Sequence, residues 1–386
     1  MKRPGPAARL NELTLAHNIP AALTIELTRR CPLSCAHCYL PETRGRSSPA
    51  EGRELTAGQW KRVLGQFARA GAMQLVFTGG EPLLRPDLEE LCAFACRLRF
   101  DVRVYSSGSG LDRSRAGALK SAGVSSFELS LYGRPVTHDA VTGRAGSFLA
   151  VMSAAKLLKK AGIAVAFKTP LMKGNVRDAA WLLALAKTHG CRIYFDPVIS
   201  PANDGDRSNL RFRLSGRALS AAVRTIPSLL PRLPSQARKP APSDFLCGAG
   251  RNVAAVDPYG NLSPCLQLPI KIGNLLRTPF TTLWRSSPRL RKWRELNIGD
   301  LPECGGCGLL PVCSRCPGIS LLERGDVLSS NVPACHMAAI MAGGPALSEA
   351  GGCQSPFNVP RKASMRSVTA CGGCAPSTSR KSALPR

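Results

Sequence analysis

The chain has 386 residues, 44% of them hydrophobic, and a formal charge of +27 at neutral pH. That length accommodates one large domain or two smaller ones, and no run of eighteen apolar residues offers a transmembrane span. The basic N-terminus, MKRPGPAARLNEL, lacks the apolar core of a signal peptide, so the expectation is a cytoplasmic protein whose 16 cysteines serve metal ligation rather than disulfides.

Short β-branched runs then alternate with helical patterns. Strands are predicted at Leu23 to Leu27, Gln74 to Thr78, Val102 to Ser106, Phe127 to Leu131, Val165 to Pro170 and Arg192 to Asp196. Between them, residues 56–70 predict a helix with Thr56 as N-cap and Trp60, Val63, Leu64 and Phe67 on one face. Further helices are predicted over roughly 87–98, 112–122, 147–161, 177–189 and 216–230. Such repeats imply an α/β fold with a parallel sheet covered by helices. A partial (β/α)6, TIM-like barrel fits the count better than an open sheet.

The character changes at residues 227–243, PSLLPRLPSQARKPAPS, whose prolines read as a linker. Residues 244–342 carry seven cysteines and few long apolar runs. Residues 343–386, rich in Gly, Ser, Pro, Arg and Lys, read as a disordered basic tail. The expected organisation is an N-terminal segment 1–20, a barrel 21–226, the linker 227–243, a small cysteine-rich domain 244–342 and the tail 343–386.

RRCPLSCAHCYLPE, residues 29–42, places Cys31, Cys35 and Cys38 on the loop after the first strand. Parallel barrels gather their active sites at that end. Three thiolates on a four-iron cube leave one iron without a protein ligand, open to a small molecule. A zinc ion completed by His37 is the alternative, strained because His37 lies between two of the ligands. The CxxxCxxC run, with His37 at the usual aromatic position, resembles the signature of radical S-adenosylmethionine (SAM) enzymes. FTGGEPLL, after the second strand, brings Gly79, Gly80 and Glu81, which resemble that family's GGE motif. The resemblance implies that this backbone contacts the methionine amino group while the open iron takes the amino and carboxylate groups. Glycines permit such close approach. It further implies SAM contacts from Ser106 or Ser107 in VYSSG, from Ser130 in ELSLYG, and from Lys168 facing the carboxylate. Solvation of strand ends explains the same residue types. Asp196 either lines a substrate cavity or caps the following turn.

Farther on, Cys247 is followed by Gly260 and Cys265, CGGCGLLPVCSRCPG supplies Cys304, Cys307, Cys313 and Cys316, and Cys335 comes last. This resembles the seven-cysteine SPASM extension of peptide- and protein-modifying radical SAM enzymes. It departs in the two-residue gap before Cys316, where three is common. The resemblance implies one auxiliary iron-sulfur cluster on Cys304, Cys307, Cys313 and Cys335. It implies another on Cys247, Cys265 and Cys316, for which KPAPSDFL offers no fourth cysteine. A zinc ribbon is the alternative, short of two well-separated pairs. Cys92 and Cys96 read as core residues, and Cys191 opens a strand at the far end of the barrel. Cys353, Cys371 and Cys374 in the tail are free thiols or a cap on the open auxiliary iron.

The resemblance covers roughly residues 18–342. It implies reductive cleavage of SAM to a 5′-deoxyadenosyl radical, then hydrogen abstraction and oxidative modification of a ribosomally made peptide or protein side chain. The auxiliary clusters accept the substrate electron or bind the substrate. Leu266 stands where anaerobic sulfatase maturases carry Asp, which argues against that activity. Few residues precede Cys31, so a separate peptide-recognition protein, or none, is expected, with a flavodoxin or ferredoxin as reductant. Maturation of a haem- or quinone-type cofactor is the alternative. A zinc- or cluster-bearing nucleic-acid module is the alternative of another class, disfavoured because no basic run is interleaved with aromatics. The positive charge reads first as an Arg-rich solubilising surface and second as attraction for an acidic peptide. No membrane partner is expected.

Overall fold

The computed structural model describes residues 5–40, 53–226, 229 and 240–344. Most of the proline-rich linker, and the tail with Cys353, Cys371 and Cys374, lie outside the described residues. After α1 (Pro6–Ala16), strands and helices alternate as β1 (Ala22–Glu26), α2 (Ala57–Arg69), β2 (Gln74–Thr78), α3 (Leu88–Arg97), β3 (Asp101–Ser106), α4 (Arg113–Ser121) and β4 (Ser126–Ser130). Then come α5 (Pro135–Thr142), α6 (Ser147–Lys160), β5 (Ala164–Pro170), α7 (Ala179–Thr188), β6 (Arg192–Asp196) and α8 (Gly216–Thr225). Neighbouring strands from β1 to β6 pair in parallel and in sequence order, the barrel-like array the repeats predict.

Alternation along the strands separates two faces. Val102 and Val104 of β3 and Phe127 and Leu129 of β4 are buried toward the helices. Arg103, Tyr105, Glu128 and Ser130 turn to the other, partly open face. Outside, α2 buries Trp60, Val63, Leu64 and Phe67, and Thr56 starts it through a reciprocal capping box with Gln59.

The C-terminal region adds β7 (Val253–Val256), β8 (Asn261–Ser263), β9 (Gly273–Asn274), α9 (Phe280–Ser286), α10 (Pro288–Glu295), α11 (Pro317–Arg324) and α12 (Val332–Met341). Strand β7 pairs in parallel with β1, and β8 and β9 continue antiparallel, so the cysteine-rich region extends the barrel's own sheet. It also shares the core: Phe280 lies tilted against Phe67 with ring centroids 4.1 Å apart, and one buried cluster runs from Leu23 to Val327. The N-terminal segment is tied to the same region. Asn252 Nδ2 donates to Asn11 Oδ1 at 3.0 Å, and Trp284 Nε1 donates to the Asn18 carbonyl at 2.6 Å. Among the described residues no helix is long and apolar enough to cross a membrane.

Candidate functional site

A cavity of about 270 Å³ opens at the C-terminal ends of the parallel strands. Cys31, Cys35 and Cys38 line it together. Their loop is held from three sides. Glu26, buried at the end of β1, accepts from Arg29 at 2.7 Å and from the Tyr39 hydroxyl at 2.9 Å, clamping both ends. Ser34 and Ala36 donate main-chain bonds to the Thr142 and Val141 carbonyls at the end of α5. Beneath, Gly80 and Glu81 donate to the Thr28 and Arg30 carbonyls at 2.7 and 2.8 Å.

These contacts give the glycines a first task within the chain. Gly79 has φ +132°, and a Cβ there would stand 2.4 Å from the Thr28 carbonyl oxygen. A Cβ on Gly80 would stand 2.2 Å from that of Arg30. The close approach is therefore to the cysteine loop itself. Glu81 is fully buried and does not line the cavity. Its carboxylate accepts from Ser106 Oγ at 2.7 Å, Ser107 N at 2.7 Å, Leu83 N at 3.0 Å and the Ser107 hydroxyl. Burial nevertheless raises its pKa above the usual carboxylate value. Ser106 and Ser107 reach the cavity edge while their hydroxyls serve Glu81, fastening the end of β2 to that of β3.

Ser130 and Lys168 line the wall beyond the cysteines, as does Asp196. Lys168 Nζ lies 5.2 Å from the Tyr105 ring centroid. Tyr105 bonds Glu128, and burial, then that carboxylate, push its pKa up to about 12. Asp196 does both tasks expected of it: it faces the cavity and caps the turn by accepting from Val198 N at 2.9 Å. Burial raises its pKa, partly offset by that bond and by Lys168.

Tyr132, Tyr39, Glu26 and His138 carry the site without having been singled out from sequence. Tyr132 is hydrogen-bonded to both Cys35 and Ser130. It meets His37 edge-on at 4.8 Å and stacks on His138 at 5.3 Å. Its backbone N–H donates to His138 Nδ1 at 3.1 Å, and burial lowers the His138 pKa to about 4. Tyr132 stands inside ELSLYG, but nothing in that string shows that it turns toward Cys35.

The far lip of the cavity comes from the C-terminal region. Leu266 and Gln267, just after Cys265, line it, and Ser200 Oγ donates to Gln267 Oε1 at 2.8 Å. A second cavity, about 490 Å³, is lined by Cys247, Cys313 and Arg315 together with Glu12, Leu15 and Ala16 of α1. Cys247, Cys265 and Cys316 lie close enough for their charges to interact. Cys307 and Cys313 pack against Ala338 and Ala339 of α12, the helix that carries Cys335. Cys304 and Cys335 are buried. Cys92 is buried in the core, and Cys96 Sγ donates to the Gly123 carbonyl at 3.3 Å.

The donor chemistry suits iron-sulfur clusters. Burial, then charges nearby, push Cys31 up to about 11 and Cys35 to about 12, and burial pushes Cys247 to about 11. Such thiols ionise together only when cations compensate them. Among the described residues no group of three or more His, Cys, Asp or Glu side chains converges as a single metal ion requires. A cube instead takes each thiolate at a separate iron.

The sequence profile of the Radical SAM superfamily matches residues 25–185, and that of SPASM, an iron-sulfur cluster-binding domain, matches residues 247–317. The chain is 30% identical over 348 residues to a PqqA peptide cyclase of Streptomyces rochei, covering 82% of this chain and 90% of that protein. It is 27% identical over 349 residues to an AdoMet-dependent heme synthase of Methanosarcina barkeri, covering 82% and 97%. Among solved structures, Streptococcus suis SuiB bound to precursor peptide SuiA superposes with a TM-score of 0.63 at 16% identity, covering 84% of this chain and 80% of that one. Native anSMEcpe with bound AdoMet gives 0.66 at 16% identity, covering 83% and 97%. At that identity the structures speak to the fold alone.

Proposed function

We propose that this chain, which belongs to the radical SAM superfamily and carries a SPASM domain, oxidatively modifies a ribosomally made peptide or a protein side chain. Its cofactors are 4Fe-4S clusters and SAM. When bound, the cluster would pass on one electron from an external reductant, and SAM, cleaved to methionine, would supply a 5′-deoxyadenosyl radical able to take hydrogen from an unactivated carbon.

The chain's residues divide the remaining work. Cys31, Cys35 and Cys38 would hold the cluster that leaves one iron for SAM, with Tyr132 fixing Cys35. The Gly79–Gly80 backbone, Ser106 and Ser130 edge the space for SAM, and Lys168 is placed for its carboxylate. Glu81 and Ser107 act at one remove, by locking the strand ends on which that space rests. Cys304, Cys307, Cys313 and Cys335 would hold one auxiliary cluster, and Cys247, Cys265 and Cys316 another. Leu266 and Gln267 then close the cavity on the auxiliary side. A substrate in this cavity would thus lie between the residues that would hold the SAM cluster and the turn that follows Cys265.

The observation that carries the peptide reading is the polar wall of Tyr105, Glu128, Lys168 and Asp196 beyond the cysteines. A peptide brings donors and acceptors at every residue and needs partners for them. The likeness to a PqqA peptide cyclase over 90% of that protein supports the same reading. The likeness to an AdoMet-dependent heme synthase favours a second one, in which a haem-type precursor is the substrate. Either requires an external reductant of the flavodoxin or ferredoxin class, and a peptide would be presented by a separate recognition protein or bind without one.

The test is anaerobic reconstitution followed by mass spectrometry of peptides encoded beside the gene. The expected result is loss of two hydrogens from one peptide, dependent on SAM. The variant with Cys31, Cys35 and Cys38 all replaced by Ala should abolish SAM cleavage and lose about a third of the iron, one cube of three. A haem precursor changed while every peptide stays intact would favour the second reading.

A further inference from the structure

Arg315 lies between Cys313 and Cys316 in the chain. Its side chain is fixed rather than left to solvent. Nε and one terminal nitrogen donate to the Ser329 carbonyl at 3.0 and 2.7 Å, and that nitrogen also donates to the Val327 carbonyl. These bonds hold the guanidinium in the wall of the second cavity, beside Cys247 and Cys313. Its charge acts on Cys304, Cys313 and Cys316, and it acts on Cys247 as well. Thiols from both ligand sets thus face one cation. Asp326 is the carboxylate nearest in effect. Among the described residues, however, no carboxylate lies within ion-pair distance of Arg315. Glu12 and Asp244 line the same cavity, but a half-buried cation with no carboxylate in direct ion-pair contact is costly unless other negative charge stands by. Bracing two carbonyls accounts for its hydrogen bonds but not for a charge set among cysteines.

We propose that Arg315 is a positioning residue that raises the reduction potential of both auxiliary clusters, its single charge serving the set of Cys304, Cys307, Cys313 and Cys335 and the set of Cys247, Cys265 and Cys316 alike. The proposal rests on the ligand assignment made above. Each one-electron reduction adds one negative charge to a cluster, and a fixed cation nearby favours the form with that charge. The electron balance gives this a use. The 5′-deoxyadenosyl radical removes one hydrogen atom from a substrate C–H bond. Completing a two-electron oxidation requires the substrate to give up one more electron, to an auxiliary cluster, and one proton, to solvent. A higher auxiliary potential favours that second transfer.

The experiment is a redox titration of the full reconstituted chain followed by electron paramagnetic resonance, with iron counted in each sample. Wild type, Arg315→Gln and Arg315→Lys are compared without any substrate. Wild type should hold about twelve irons, four for each cube. In Arg315→Gln the reduction equilibrium of both auxiliary signals should fall about tenfold, which is 59 mV for a one-electron couple. The signal of the Cys31, Cys35 and Cys38 cluster should stay where it was, and Arg315→Lys should stay near wild type. Three results overturn the proposal: full iron with the auxiliary potentials unmoved or only one moved, a Lys variant shifted as far as Gln, or iron lost from Arg315→Gln, which marks a brace. A wild type with no auxiliary signals overturns the ligand assignment and takes this proposal with it.

Discussion

The loop of Cys31, Cys35 and Cys38 accepts main-chain hydrogen bonds from the end of β2 and donates others to the end of α5, and Glu26 grips it at both ends. The segment from Cys304 to Cys316 is built otherwise. Its backbone bonds are local, Cys307 to Cys304 at 3.0 Å, Leu310 to Cys307 at 3.1 Å and Cys313 to Leu310 at 3.2 Å, around one short 3-10 turn. The first loop is shaped by regular structure before any cofactor binds. In the second, turns bring thiols near one another and ligation has to finish the work.

Removing the iron tests this contrast most severely. With an anaerobic chelator, amides of residues 304–316 should lose hydrogen-exchange protection by orders of magnitude, while those of β1 to β6 stay close to the holoprotein. Equal loss in both regions would erase the distinction. Next in size is Gly80→Val. With a Cβ already 2.2 Å from the Arg30 carbonyl oxygen, the cysteine loop must move. The cost is about 3 kcal/mol, the upper end for overpacking, read as a lower melting point in the iron-free chain. Unchanged iron-free stability with weaker SAM binding would return the glycine to a purely ligand-facing role.

How much of this was legible in the sequence follows the same divide. The six barrel strands and their helices were, because β-branched runs such as Gln74–Thr78 and apolar stripes such as Trp60–Phe67 carry strong periods. The cysteine sets and the GGE turn were legible as motifs. Helix α1 was not: it buries only Thr14 and has no apolar stripe to announce it. Nor was β7, since VAAV is short and its pairing with β1 joins residues far apart in the chain. At the site, Gly80 was visible but its neighbour was not. The resemblance pointed to a ligand, while the structure puts the Arg30 carbonyl there first.

Acid should weaken the barrel side in a defined window. His138 accepts the Tyr132 N–H and so must be neutral at Nδ1. Its folded pKa is depressed to about 4 from 6.5. The neutral form's contribution is therefore whole above about pH 6.5, declines as pH falls, and is lost below about pH 4. The loss amounts to about 3 kcal/mol. Denaturation of the wild type and of His138→Gln across that range checks it. The variant should start less stable and have a flatter acid limb, whereas parallel limbs would assign the acid sensitivity elsewhere.

The smallest effect is expected where the two regions touch. Ser200 Oγ donates to Gln267 Oε1, joining the loop after β6 to the turn after Cys265. On the barrel side Ser200 is held firmly, since Asn209 Nδ2 donates to its carbonyl at 2.7 Å and also to that of His37 at 3.4 Å. On the other side, the Gln267 carbonyl packs so close to Gly318 that a Cβ there would lie 1.8 Å away. The turn's position thus depends on the start of α11, just beyond Cys316. Ser200→Ala should cost about 1 kcal/mol, the net worth of one such bond. A double-mutant cycle with Gln267→Ala should show a coupling of similar size in the holoprotein. After chelation that coupling should vanish, because the Gln267 side of the bond is placed by a region that needs its metal. A coupling unchanged in the iron-free chain would mean that the C-terminal region keeps its shape without ligation, and the contrast between the two regions would be gone.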